Sequence, residues 1–385
     1  MNDIIKENND FNKFKKIYDL YSKINNNNFE IINSKNKINK NNNQKNLCNI
    51  NDSNNSFKEL TKDSFANSAL DNSFYVFNSF ENIPYLVFSN KYKYLIYDIM
   101  NNKIIKELEK AHREFITNIR HYFDNKFRID FLLTVSDSNR NIKSWNINNY
   151  DYPFDIHAYK DGRIDSVSFL NNNNKIYILA SNSCTKYKSA KSIIPENIKI
   201  FNLDGDEIKE INDSNDHCFF IDTYYDNNCS KNFIITGNLG YLKSYDFDNN
   251  KLYHKYYDNK NIKKFAHFSA VINKNENLIK LIDSSKDGFI RIWNFHSNIL
   301  LNKINLNCGK LYGICLWNDN NLLVGCEDKT IKLLNINNNT IVKEFKGHGR
   351  EVISIKKIYH NKYGECIISQ GKGEDQIKLW KMNDL

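Results

Sequence analysis

The chain has 385 residues, enough for two average domains or for one large repeat domain. Asn, Lys and Ile dominate the composition, Pro and Gly are scarce, and the net charge is +9. No stretch reaches the roughly 18 consecutive apolar residues of a membrane-spanning helix, and the polar N-terminus lacks the apolar run of a signal peptide. The eight cysteines include no Cys-x-x-Cys pair. We therefore expect a reducing, intracellular location, either cytoplasmic or nuclear.

The first 55 residues are a low-complexity tail rich in Asn and Lys, and such stretches bury too little apolar surface to fold alone. Within the tail, residues 10–24 place large apolar side chains at three- and four-residue spacing, which predicts a short amphipathic helix. This helix is interpreted either as a docking element for a partner or as a segment that packs on the folded domain or fluctuates. We expect a largely disordered tail over residues 1–55 and a folded domain over residues 56–385.

The folded region repeats one pattern, clearest in residues 278–295. Two short apolar runs flank the turn Ser284–Gly288, which predicts a β-hairpin. Aligned on the large residue near the end of each unit, the series is Tyr97, Trp145, Phe201, Tyr245, Trp293, Leu334 and Trp380, at steps of 48, 56, 44, 48, 41 and 46 residues. A repeat of about 40–45 residues with four strands per unit is typical of a β-propeller blade. The sequence therefore predicts an all-β fold with seven blades.

These repeats resemble the WD-repeat family of β-propellers. In that family a Gly-His pair opens each repeat and Trp-Asp closes it. A His, a Ser or Thr, the Trp and a turn Asp form a hydrogen-bonded set inside the blade. Gly347-His348 matches the opening pair, and Ala111-His112 matches it in part. The resemblance assigns the structural set to His112, Trp145, Asp287, Trp293, Asp328, His348 and Trp380.

The repeats also depart from the family pattern. Asn139 and Glu374 stand at the turn position of the second and last repeats, and each Trp of the series is followed by Asn or Lys instead of Asp. Hairpin turns between third and fourth strands are predicted at Asn101-Asn102, Asp204-Gly205, Asn249-Asn250 and Asn337-Asn338, because Asn and Gly tolerate positive φ. Only Lys381–Leu385 follow the last Trp, so residues 56–60 are predicted to supply the outer strand of the last blade and close the ring.

Nothing in the sequence predicts catalysis. It contains no phosphate-binding Gly-rich loop, nucleophile elbow or metal-binding His pair, so we expect neither an enzyme nor a cofactor. The nearest approach to a metal site is His217-Cys218 with Cys229, which lacks the four close ligands of a structural zinc site. Packing of these cysteines in the core explains them better. His112 and His348 are expected to be structural, because their bonds keep buried polar groups paired.

Basic residues concentrate on one face of the predicted propeller, formed by the loops between blades and by the turns between second and third strands. We call this the loop face. It is expected to carry Arg113, Arg140, Lys160, Arg163, Lys186, Lys188, Lys191, Lys286, Lys329, Arg350 and Lys372, diluted by several acids. Such a surface attracts an acidic peptide or a phosphate-bearing partner; the alternative is a solvated rim without a single ligand. The candidate partner contacts are Arg140, Tyr241, Arg350, Arg163 and Lys188.

The resemblance implies a non-enzymatic interaction scaffold that presents its loop faces to other proteins in a multi-protein complex. The alternative is a ribonucleoprotein or ribosome-associated component whose basic surface contacts RNA phosphates, with binding that weakens as salt rises. Phosphoinositide recognition is less favoured because the paired-Arg motif of such propellers is absent. The Trp-Asp-x-Arg signature of ubiquitin-ligase receptors is also missing. Neither membrane insertion nor a small-molecule substrate is expected.

Overall fold

The computed structural model describes residues 74–79, 83–90, 93–108, 112, 116–124, 128–136, 141–147, 154–159, 163–183, 196–212, 214–258, 265–275, 278–373 and 377–381. The chain divides into two compact units, Met1–Asn49 and Ile50–Leu385, and every described residue lies in the second. The predicted tail helix (10–24) and the predicted closing strand (56–60) lie outside the described residues.

Seven antiparallel sheets make up the described region, and its residues contain strands but no helix. Blades one to three consist of β1 (Phe74–Asn78), β2 (Pro84–Asn90), β3 (Lys93–Asp98) and β4 (Lys103–Leu108); β5 (Ile116–Asp124), β6 (Ile129–Ser136), β7 (Asn141–Asn146) and β8 (Phe154–His157); and β9 (Arg163–Asn172), β10 (Lys175–Ser183), β11 (Lys199–Phe201) and β12 (Glu207–Glu210).

Blades four to seven follow in the same order along the chain. They consist of β13 (Phe220–Asp226), β14 (Lys231–Gly237), β15 (Leu242–Asp246) and β16 (Lys251–Tyr256); β17 (His267–Asn275), β18 (Leu278–Ser285), β19 (Phe289–Asn294) and β20 (Leu300–Asn305); β21 (Leu311–Asn318), β22 (Asn321–Cys326), β23 (Thr330–Asn335) and β24 (Thr340–Lys346); and β25 (Val352–His360), β26 (Gly364–Gly371) and β27 (Ile377–Lys381).

The blades form a closed ring. The first strand of each blade contacts the first strand of the next blade, and β25 of blade seven contacts β1 of blade one. Blades one and seven also share a hydrophobic core, in which Phe74, Phe88 and Tyr97 pack with Ile358 and Ile368. The all-β, seven-bladed propeller predicted from the sequence is therefore confirmed. Blade seven has three strands among the described residues.

The turns between third and fourth strands use the left-handed backbone conformation that Asn and Gly tolerate. Asn102, Gly205 and Asn250 have φ of +50°, +87° and +55°, as their turn positions predict. In blade six the left-handed residue is Asn339 (φ +64°) and not Asn337 or Asn338. The difference arises because the turns of blades one, four and six each have four residues and the positive φ falls on the last of them, which in blade six is Asn339.

In blades one, three, four, five and six the residue that follows the large residue caps this turn with its side chain. Asp98 Oδ1 accepts hydrogen bonds from the N–H groups of Met100 and Asn101, both at 2.9 Å. Asn294 Oδ1 accepts the corresponding bonds from His296 and Ser297, both at 3.0 Å. The amide oxygen of Asn thus does the same work as the carboxylate of Asp. A Trp-Asn sequence therefore fits the position at which the resemblance expects Trp-Asp.

Candidate functional site

Blade two contains a His–hydroxyl–Trp set that ties the segment before the blade to its second and third strands. His112 Nε2 lies 2.8 Å from Thr134 Oγ1, and Trp145 Nε1 donates to the same oxygen at 2.7 Å. All three side chains are buried. Burial, with a further contribution from the nearby Lys143 charge, lowers the pKa of His112 to about 3, so the ring is neutral at physiological pH. Its role is structural cross-linking.

Blade seven has the same set on the loop face. His348 Nε2 lies 2.7 Å from Ser369 Oγ, which also accepts a 2.7 Å bond from Trp380 Nε1. The backbone beside it is tightly placed, since a Cβ on Gly347 would lie 3.2 Å from the Trp380 ring. Arg350 follows two residues after His348 and is exposed. The set therefore fixes the loop from which Arg350 projects.

Blade five contains a variant of this set that sequence reasoning missed. His267 Nδ1 lies 2.6 Å from Asp283 Oδ2, and Trp293 Nε1 donates to Asp283 Oδ1 at 2.8 Å. A carboxylate takes the place of the hydroxyl, and His267 lies on strand β17 instead of in a Gly-His pair. Neither replacement matches the family pattern. The one hint in the sequence was Asp283, an acidic residue directly after the first apolar run of the predicted hairpin.

The turn acids of the loop face are bound within their own blades. Asp287 was expected to bond a blade His; its carboxylate instead accepts bonds from Ser285 and from the Arg291 guanidinium. Arg291 also donates to Asp258 at 2.9 Å. In blade six, Asp328 accepts bonds from the Thr330 side chain at 2.6 Å and main chain at 3.1 Å and pairs with Lys332, while Glu327 pairs with Lys310.

Four exposed cations lie on the loop face along three successive blades, and we call them the cationic arc. They are Lys286 and Lys329 in the turns of blades five and six, Arg350 in the loop before blade seven, and Lys372 in the turn of blade seven. Among the described residues the side chains of Lys286, Lys329 and Arg350 have no ion-pair partner. Lys372 lies near Glu327, and Glu351 beside Arg350 is a partial counter-charge. The neighbouring turn acids are occupied, so the arc keeps much of its positive charge.

Of the other predicted contacts, only Tyr241 has a described side chain. Tyr241 lies on the loop face in blade four, hydrogen-bonds Asp216 and packs its ring 3.7 Å from the Lys255 ammonium. Burial and the Asp216 charge raise its pKa above the ordinary value. Asp216 also pairs with Lys243. Tyr241 is thus held inside its own blade, and its role as a partner contact stays a prediction.

The remaining predicted contacts cannot be placed in the same way. Arg140 and Lys188 lie outside the described residues, and of Arg163 only the backbone at the start of β9 is described. The described part of the cationic arc therefore covers blades five to seven.

A cavity of about 330 Å³ lies on the propeller axis, lined by the first strands of all seven blades. Arg120, Asp222 and Lys356 contribute charged groups to its wall. His121 also lines it, stacks on Phe77 at 4.0 Å and lies 2.8 Å from Asp130. Burial lowers the pKa of His121, although the bond to Asp130 acts in the opposite direction. The sequence gives no signal for this cavity, because it is formed by strand positions that only ring closure brings together.

Comparison with known proteins supports the fold and goes no further. No protein-family model matches the chain, and no curated protein matches it. Among 1549 matching chains of solved structures is the crystal structure of the computationally designed Ika8 protein. It has a TM-score of 0.55 and 13% identity, and the match covers 83% of this chain and 98% of that chain. In the described part of the chain, no helix has the length and apolar character to cross a membrane.

Proposed function

We propose that this protein is a non-enzymatic scaffold of the WD-repeat type that binds partner proteins through its loop face. The observation that carries the proposal is the cationic arc: exposed cations on three successive blades, next to acids already bound inside the blades. Opposite charge steers association and discriminates against wrong partners. The partner chemistry that fits is an acidic protein segment.

The arc is suited to specific binding because the structure around it is already ordered. Arg350 projects from the loop that the His348–Ser369 bond holds, and Lys286 lies beside Asp287, which Arg291 and Ser285 fix. A preorganised surface loses little conformational entropy when a partner binds. Arg is also among the residues that dominate interface energies. Arg350 is therefore the arc residue expected to contribute most.

The described loop face favours a protein over RNA as partner. Sequence-tolerant RNA binding relies on exposed aromatic rings on which bases stack. The aromatic residues near the axis on this face, Phe268 and Tyr312, stack on each other and are only 6% and 2% exposed. The Tyr241 ring is packed against Lys255. The loop face therefore has exposed positive charge, but the rings of Phe268, Tyr312 and Tyr241 are not free to stack on RNA bases.

The test is an affinity purification of the tagged full chain from its native cell, with and without nuclease, read by mass spectrometry. The proposal predicts a stoichiometric set of proteins that survives nuclease treatment. Loss of all partners on nuclease treatment would instead identify a ribonucleoprotein component, whose binding would fall steeply with ionic strength.

A further inference from the structure

Blade six lacks the polar cross-link found in blades two, five and seven. In blades two, five and seven a His entering the blade contacts a polar residue on the second strand, and that residue pairs in register with Lys143, Arg291 or Lys378. The corresponding residue of blade six is Val324, which pairs with Lys332. Val324 and Leu334 are fully buried and cannot form such a bond. The segment that enters blade six is therefore held by other contacts.

Two cysteines occupy this junction. Cys308 lies in the segment that enters blade six, and Cys326 is the last residue of its second strand, β22. The two thiols are buried, at 6% and 0% exposed, and Cys326 Sγ donates to the Val324 carbonyl at 3.6 Å. The sulfur atoms of both and a carboxylate oxygen of Asp328 all lie within 4.8 Å of one another. Two cysteines 18 positions apart in the chain, and Asp328 two residues after the second, thus bring three metal-binding atoms close together.

Main-chain hydrogen bonds hold these donors in place. Asp328 N–H donates to the Cys308 carbonyl at 3.3 Å, and Glu327 N–H donates to the Lys310 carbonyl at 2.9 Å. Gly309 between them has φ +77°, and a Cβ there would collide with the Glu327 side chain. The thiols are therefore brought together by an ordered loop and not by chance side-chain rotation.

We propose that Cys308, Cys326 and Asp328 form an open binding site for a thiophilic divalent cation of the Zn²⁺ class at the junction between blade six and the segment that enters it. Zn²⁺ takes Cys sulfur at about 2.3 Å and carboxylate oxygen at about 2.0–2.2 Å, so the ligands of one tetrahedral ion lie about 3.5–4 Å apart. The observed cluster needs only a small contraction. Three protein ligands leave a fourth position for water.

The charges around the cluster fit a bound cation. On binding, each thiol releases its proton to solvent. The two thiolates and the carboxylate then carry three negative charges, of which Zn²⁺ neutralises two. Lys332, whose ammonium lies 3.2 Å from Asp328 Oδ2, supplies a further positive charge and is itself held by Glu344 at 2.6 Å. Asp328 is exposed, which gives the ion a path from solvent to the buried sulfurs.

Zinc affinity of the purified full chain, measured by competition with a chromophoric chelator, tests the site. Cobalt(II) provides a second readout, since thiolate ligands give it a sulfur-to-metal charge-transfer absorption. We expect one equivalent of zinc, a cobalt–thiolate band, and a rise in the thermal unfolding midpoint on zinc addition. Cys308→Ser and Cys326→Ser should each weaken zinc binding by more than about 100-fold, since loss of an outer-shell contact alone costs about 10–100-fold.

The matched control is Cys315→Ser, which removes a thiol from β21 of the same blade and should leave zinc affinity and the cobalt band unchanged. If a cysteine variant fails to fold, the zinc affinity of Asp328→Asn is compared with that of the wild type instead. The amide oxygen of this variant keeps the bonds to Thr330, but loss of the ligand's charge should weaken zinc binding by at least about 10-fold, the smallest cost of losing an outer-shell contact. Absence of the cobalt–thiolate band in the reduced wild-type protein, its persistence in Cys326→Ser, or a Cys308–Cys326 disulfide in peptide maps of the purified protein would overturn the proposal.

Discussion

His267 Nδ1 and Asp283 Oδ2 lie 2.6 Å apart in the core of blade five, where Asp283 has no exposed surface. Asp283 also accepts the Trp293 N–H, so one carboxylate joins the first, second and third strands of the blade. Removal of this carboxylate leaves two buried polar groups without a partner, which is more costly than loss of a bond at the surface.

Asp283→Ala is therefore predicted to lower the free energy of unfolding by about 2–6 kcal/mol, because two buried polar groups each lose a partner at about 1–3 kcal/mol apiece. Urea denaturation followed by Trp fluorescence measures it. The control is Asp222→Ala, which removes an exposed carboxylate and should change the free energy by less than about 0.5 kcal/mol. Equal effects of the two substitutions would show that the His267–Asp283–Trp293 set does not support the blade.

The Arg291 network predicts how stability depends on acid. Burial acts to raise the pKa of Asp287 and Asp258, but bonds and charge from Arg291, with Lys303 at Asp258, outweigh it and hold both pKa values below the ordinary range. Carboxyls with depressed folded-state pKa values stabilise the fold above the unfolded-state pKa of about 4. This stabilisation is lost as pH falls through the folded-state values.

Arg291→Met removes the guanidinium and should lower the free energy of unfolding at neutral pH by about 1–3 kcal/mol, because two half-buried carboxylates lose a partner. Its stability should also fall less steeply than that of the wild type as pH decreases below about 4. Unfolding curves at a series of pH values measure both effects, with Lys362→Met as the exposed control. If the free energy of unfolding of Arg291→Met falls with acid as steeply as that of the wild type, the lowered pKa values of Asp287 and Asp258 are contradicted.

The capping bonds of Asn294 predict that Asp is an equivalent residue at this position. Asn294→Asp keeps an oxygen acceptor for the two turn N–H groups and should change the free energy of unfolding by less than about 0.5 kcal/mol. Asn294→Ala loses both bonds and should cost about 1–2 kcal/mol. A loss of similar size in both variants would show that the amide N–H₂ group, and not the oxygen, is needed.

Tyr241 and Arg350 are both predicted partner contacts, but their surroundings predict different effects on stability. Replacement of Tyr241 should destabilise the fold, and replacement of Arg350 should not. Tyr241→Ala breaks the bond to Asp216 and the contact with Lys255, and should cost about 1–3 kcal/mol of folding free energy. Arg350→Ala should leave folding within about 0.5 kcal/mol of wild type, yet weaken binding of a loop-face partner by more than about 1 kcal/mol. Thermal unfolding and binding titration separate the two. A destabilised Arg350→Ala protein would contradict the exposed position of its side chain.

Two kinds of feature were predictable from the sequence: the number of blades, which follows from the repeat period, and the turn conformations, which follow from local residue type. The repeat of the large residues from Tyr97 to Trp380 was enough for seven blades, and Asn102 and Asn250 adopt the left-handed turns that their residue type favours. His348 also lies where its Gly-His pair predicts, bonded to Ser369. Each of these features is encoded within a few residues of the chain.

Features that depend on packing between distant residues were not predictable from the pattern. His267 belongs to no Gly-His pair, and its bond to Asp283 exists only once β17 and β18 are paired. The closeness of Cys308 and Cys326 depends on a loop that returns to the end of β22. Asp287 has the residue type expected at its turn, but its carboxylate binds the guanidinium of Arg291, which stands where most other repeats have Lys.

The most direct test of the scaffold proposal compares two triple variants in partner capture from the native cell. Lys286→Glu/Lys329→Glu/Arg350→Glu reverses three cations of the arc, while Lys175→Glu/Lys274→Glu/Lys362→Glu makes the same change in charge at turns on the opposite face, where these lysines are also exposed. Quantitative mass spectrometry of nuclease-treated purifications measures the partners retained by each. Loss of the partner set from the arc variant alone, with both variants folded, is the predicted result. Retention of the partners by the arc variant, or equal loss from both, would contradict binding through the loop face.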